Sequence, residues 1–131
     1  MTERTLFIHV EPHEAVVART LRNAQAIDRG EDVSEKEHLS FTDLRTYLST
    51  LTQKRLELVA TLKEAGTMSI RALAKASGRD YKSVHHDVGK LLELGILAKD
   101  GEGRLVAPYD RIVSEISWTA TSDPNSAELA A

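Results

Sequence analysis

Cysteine is absent from this chain. That excludes disulfides and thiolate metal sites, and it suits a reducing compartment. Long apolar runs are absent too; none approaches the roughly 20 residues that span a bilayer. The first ten residues, MTERTLFIHV, are too charged and too short for a secretory signal, so the expected location is cytoplasmic, with no membrane partner. Aromatic residues are scarce at 5% of the 131 residues. No glycine-rich phosphate loop, nucleophile elbow or paired-carboxylate pattern occurs, and no enzyme is expected. Ser83, His85 and Asp87 resemble a triad only as text, because on one helix their side chains diverge. His85 and His86 are adjacent and project about 100° apart on a helix, which suits no single metal ion. His9, His13 and His38 lack any ligand spacing such as HExxH, so neither metal nor cofactor is expected.

What the chain does have is an ordered set of local signals from Ser69 to Ala107. Ser69 is an N-cap residue type, and Ile70, Leu73 and Ala74 follow at helical spacing. Gly78 stands where a helix ends in a positive-φ residue. Asp80 then caps a second helix, about 80–94, with Tyr81, Val84, Val88, Leu91 and Leu92 on its apolar face. Gly95 closes it, and Ile96 to Ala107 reads as a small hairpin around Lys99-Asp100-Gly101-Glu102-Gly103. Helix, turn, helix and hairpin in that order predict a winged helix-turn-helix.

Such a unit lays its second helix in the major groove of double-stranded DNA. The residues expected to meet base edges are Arg79, Tyr81, Lys82, Ser83 and His86. Ser69, Arg71, Lys75 and Lys90 are expected at backbone phosphates, and Lys99 and Arg104 of the wing at the flanking backbone or minor groove.

These residues also carry a family resemblance. An LT-x-KR helix (Leu51 to Arg55), an RDYK-x-V recognition helix (Arg79 to Val84) and a PYD-x-I closing strand (Pro108 to Ile112) make the chain similar to MarR-like winged helix-turn-helix regulators of bacteria and archaea. The resemblance covers most of residues 40 to 116. It implies a transcription regulator, and some such relatives are antitoxin-like partners of toxins.

Charge distribution supports a DNA reader only locally. The net charge is −3. Residues 66–107 hold seven Lys/Arg against five Asp/Glu, while residues 1–65 hold nine against eleven and residues 108–131 one against four. The one basic segment is the expected reading head. Its excess of two is a small electrostatic footprint, so a homodimer that doubles the phosphate contacts is expected.

Around this head, Thr5 to Val10 alternates as a strand, and a helix runs from Pro12 to Arg29 until Gly30 ends it. Glu31 to His38 reads as a charged linker. Ser40 is expected to begin a helix through Phe41, Leu44, Leu48 and Leu51. Thr52 caps the next, with Leu56, Val59 and Leu62 inward. Arg111 to Trp118 has strand periodicity, and residues 119–131 read as a disordered tail. The two terminal strands are expected to pair with each other, with a role in the dimer.

The expected class is therefore mainly α with small β (α+β). An N-terminal strand, helix and linker occupy 1–39, the winged helix-turn-helix domain with its closing strand 40–118, and the tail 119–131. The expected function is sequence-specific DNA binding in transcription regulation. The alternative is an antitoxin-like protein that neutralises a toxin partner and represses its own operon.

Overall fold

The computed structural model describes residues 3–30 and 37–117. It is a mixed α and β architecture. In chain order the elements are β1 (Thr5–Val10), α1 (His13–Asp28), β2 (Glu37–Phe41), α2 (Leu44–Thr50), α3 (Gln53–Ala65), α4 (Ile70–Ser77), α5 (Tyr81–Glu93), β3 (Ala98–Lys99), β4 (Leu105–Val106) and β5 (Arg111–Ile116).

β1 is the middle strand of a three-stranded sheet, ordered β2-β1-β5. Both pairings are parallel: Ile8 stands opposite Leu39 on one side and Ser114 on the other. The terminal strands do pair with each other, as their unsatisfied edges require, and they do so within one chain. A dimer is therefore not needed to satisfy β1. The connection from β1 to β2 runs through α1, since parallel neighbours need a crossover.

Three expectations for this half of the chain are corrected. Glu37 and His38 belong to β2 and not to a linker; the rest of that linker, 31–36, lies outside the described residues. Ser40 and Phe41 end a strand, where a helix was expected to start. The helix begins at Leu44, because the Asp43 carboxylate accepts from the Thr46 amide and caps it. A boundary between 39 and 40 thus falls inside β2. Trp118 and the expected tail also lie outside the described residues.

One hydrophobic core joins the sheet to the helices. Leu6, Ile8, Val10 and Phe41 from the sheet share it with Leu58, Leu62, Leu73, Val84, Val88, Leu91 and Leu105. Every second residue of β1 is buried, the pattern of a strand with one face on the core. Helix registers differ in part from the expected ones. Leu58 and Leu62 are the buried residues of α3, and Leu56 is 38% exposed. In α2 Tyr47 and Thr50 turn inward while Leu44 and Leu48 face out.

On the other sheet face, the His9 and His38 rings come together. His9 Nε2 lies 2.8 Å from His38 Nδ1, a hydrogen bond between the rings. No group of three or more His, Cys, Asp or Glu residues suited to a metal ion forms among the described residues. Nor is any described helix long and apolar enough to cross a membrane.

Candidate nucleic-acid interface

The site is built from the starts of three helices and the β3–β4 hairpin. Each helix start is fixed locally. Thr52 accepts from the Arg55 amide, Ser69 from the Ala72 amide and Asp80 from the Ser83 amide. Each such cap satisfies a backbone N–H that the first turn leaves without a helical partner. The Asp80 carboxyl is accordingly held below its ordinary range, chiefly by the Ser83 backbone hydrogen bond. Between α4 and α5 the chain turns at Gly78, whose φ of 66° lies in the left-handed region that favours glycine. Two residues later α5 begins.

With Val84, Val88 and Leu91 buried, α5 turns its opposite side to solvent. Tyr81, Lys82, Ser83, His85 and His86 are all exposed there. Tyr81, expected on the apolar face, is instead 43% exposed. The Arg71 guanidinium of α4 lies over its ring, 4.8 Å from the centroid. That cation–π contact holds Arg71 beside the first turn of α5. Lys75 is exposed on the same helix as Arg71.

An open groove of about 510 Å³ runs between the first turns of α3 and α5. It is lined by Thr52, Lys54 and Arg55 on one side and by Arg79, Lys82, Ser83, His86 and Asp87 on the other. Lys54 and Lys82 are exposed there. Two helix N-termini with their positive dipole ends and two lysines make the groove suited to anionic oxygen.

Arg79 is engaged within the chain. It was expected to meet base edges, but its Nη2 donates to Asp87 Oδ2 at 2.6 Å. Arg55 Nε donates to Asp87 Oδ1 at 3.0 Å, and Arg55 Nη1 to the Thr50 carbonyl at 2.8 Å. Asp87 therefore bridges two guanidinium groups and ties the start of α3 to α5. The side chains of the triad are only 13–20% exposed. Burial pushes the Asp87 carboxyl up, but the hydrogen bonds and charges of Arg79 and Arg55 outweigh it and bring the pKa below the usual aspartate value. Arg79 Nη1 is buried and has no protein partner among the described residues. Arg79 thus positions the turn and is not a free cation pointing outward.

The hairpin also holds one of the expected cations within the chain. β3 and β4 pair antiparallel, Ala98 with Val106 and Lys99 with Leu105, and a bridge from Met68 extends the pairing. Asp100 closes the turn by accepting from the amides of Glu102 and Arg104. Arg104, expected to contact DNA, ion-pairs with Asp100 at 3.3 Å and Glu102 at 2.8 Å. Lys99 is exposed, with no ion pair among the described residues. Lys90 lies half-buried, 3.7 Å from Glu93.

Lys54 and Arg55 line the groove beside the expected residues, and Asp87 holds a structural place that the sequence pattern does not signal. Local spacing offers no clue to a 32-residue contact such as Arg55–Asp87. The only nearby signal is the pairing of opposite charges at Arg79 and Asp87, two turns apart.

The family model described as HVO_A0114 matches residues 50–114. The chain is similar to that family from the end of α2 into β5, the part that carries the groove and the hairpin. No curated protein and no solved structure matches the chain.

Proposed function

We propose that α3, α4, α5 and the β3–β4 hairpin form a winged helix that binds double-stranded DNA, and that the protein is a MarR-like transcription regulator acting in the cytoplasm as a homodimer. The observation that supports this most is the solvent side of the first turns of α5. Lys82, Ser83 and His86 stand together there, beside Lys54 across the groove. In this reading α5 enters the major groove, Lys82, Ser83 and His86 meet base edges, and Tyr81 with Arg71 packs on the sugar-phosphate backbone. Lys75 and Lys54 meet phosphates, and Lys99 meets the flanking backbone. Ser69 contributes through the helix start that it caps. A second copy presents the same elements to a half-site about one helical turn away, so the target is an inverted repeat.

The test is selection of bound duplex from a random pool, followed by gel shift on the selected sequence and on the DNA upstream of the gene. The expected result is an enriched palindrome bound in preference to random duplex. Equal binding to all sequences, or none, overturns the assignment.

A further inference from the structure

A helix normally turns its larger apolar residues toward its own chain. α1 does the reverse. None of its sixteen residues is buried. Its half-buried positions are Ala15, Val16, Ala18, Arg19 and Ala26, mostly small residues. Arg19 anchors that side by an ion pair to Glu11 and a 3.0 Å hydrogen bond to Ser40 Oγ. Val17 and Leu21 are 49% and 56% exposed, and Ile27 is 62% exposed. At about 100° per residue, Val17, Leu21 and Ala24 lie on one outward stripe, flanked by Thr20 and Ile27. A helix of this length is marginal in water without a packed face.

We infer that this stripe is the contact with a second copy of the chain, with the two α1 helices packed antiparallel about their midpoint. The ends of the stripe point to that occupant. His13 begins α1 and Asp28 ends it, fifteen residues and about 22 Å apart, on the same side of the helix as Val17. An antiparallel copy sets each His13 ring beside the Asp28 carboxylate of the other copy. The same arrangement opposes Val17 to Ala24 and Leu21 to Thr20, in both cases a large residue to a smaller one, and the Glu14 stem to Ile27 at the margin. It also sets the positive N-terminal end of each helix against the negative C-terminal end of the other. The stripe thus complements itself in shape, charge and hydrogen bonding. The inference gives the proposed homodimer its interface. It rests on that reading only for there being two copies.

The absence of cysteine makes the test clean. The expected mass by light scattering at tens of micromolar is twice 14.5 kDa for the unaltered chain and 14.5 kDa for Leu21→Glu, with the same far-ultraviolet dichroism. Mild oxidation is expected to cross-link Leu21→Cys to itself and Val17→Cys to Ala24→Cys, but not Val17→Cys to itself, because disulfides require Cβ atoms about 4 Å apart. A monomeric unaltered chain, a Leu21→Glu dimer, or self-linking Val17→Cys overturns the inference. The cross-links decide the matter even if Leu21→Glu folds poorly. All these measurements omit DNA, so their failure leaves the gel shift to judge DNA binding separately.

Discussion

Arg79 Nη2 and Asp87 Oδ2 lie 2.6 Å apart, which closes the turn before α5 onto the helix that it introduces. Asp87 also receives Arg55 from α3, so one carboxylate fixes the angle between the two helix starts that flank the groove. Removing that carboxylate leaves two guanidinium groups facing each other in a mostly buried place. Asp87→Ala is expected to cost about 2–4 kcal/mol, read as a lower urea midpoint with unchanged slope. A loss within the scatter of surface substitutions shows that the triad contributes nothing to the fold.

The same pair predicts a pH dependence. The Asp87 carboxyl has a folded pKa below the ordinary 3.8. A depressed folded pKa gives stability that is present above the unfolded value and is lost as pH falls through the folded one. The stability gap between the unaltered chain and Asp87→Asn is therefore expected to be constant near neutrality. It should shrink as pH drops below 3.8, where the carboxyl takes up its proton. A gap that stays constant into strong acid contradicts the assignment of charge to this site.

DNA binding is expected to separate the cations by what already holds them. Lys82→Ala should weaken binding to the selected site by about 1–3 kcal/mol if it pairs with a guanine. Lys54→Ala should lower affinity for every sequence alike and reduce the salt slope by about 0.9, as loss of one phosphate contact does. Arg104→Ala should do little, because Asp100 and Glu102 already neutralise that guanidinium. Fluorescence anisotropy at several salt concentrations measures all three. A larger effect from Arg104→Ala than from Lys82→Ala reverses the proposed order.

Ile8 is 1% exposed in the middle strand and shares its core with the helices of the groove. Ile8→Ala is expected to cost about 2–5 kcal/mol, and to do so in one transition seen alike by dichroism and by hydrogen exchange at the β1 and α5 amides. Two separate transitions show instead that sheet and helices unfold as independent units.

How much of this was legible beforehand varies with distance along the chain. The caps at Thr52, Ser69 and Asp80 and the turn at Gly78 were read correctly, since each depends on residues three or four positions away. β1 and β5 were visible as alternation. β2 was not. Its charged neighbours hid a short strand, and its place beside β1 is set by a crossover that no local pattern encodes. The helical spacing of Val17, Leu21 and Ala24 sets them on one side of α1, but it does not say which side meets the rest of the chain.

The sequence by itself therefore determined where α3, α4 and α5 start, because capping acts within one turn, whereas the start of α2 was hidden by the end of β2. It also determined which part of the chain carries the excess of positive charge. Only the tertiary structure decided which cations remain outside. Arg79 looks as available as Lys82 in the sequence, yet Asp87, which also holds Arg55 of α3, draws it in once the chain folds. The orientation of α1 was decided at the same level. A helix presents whichever stripe its anchors leave outward, and here Arg19, fixed by Glu11 and Ser40, leaves Val17 and Leu21 facing water.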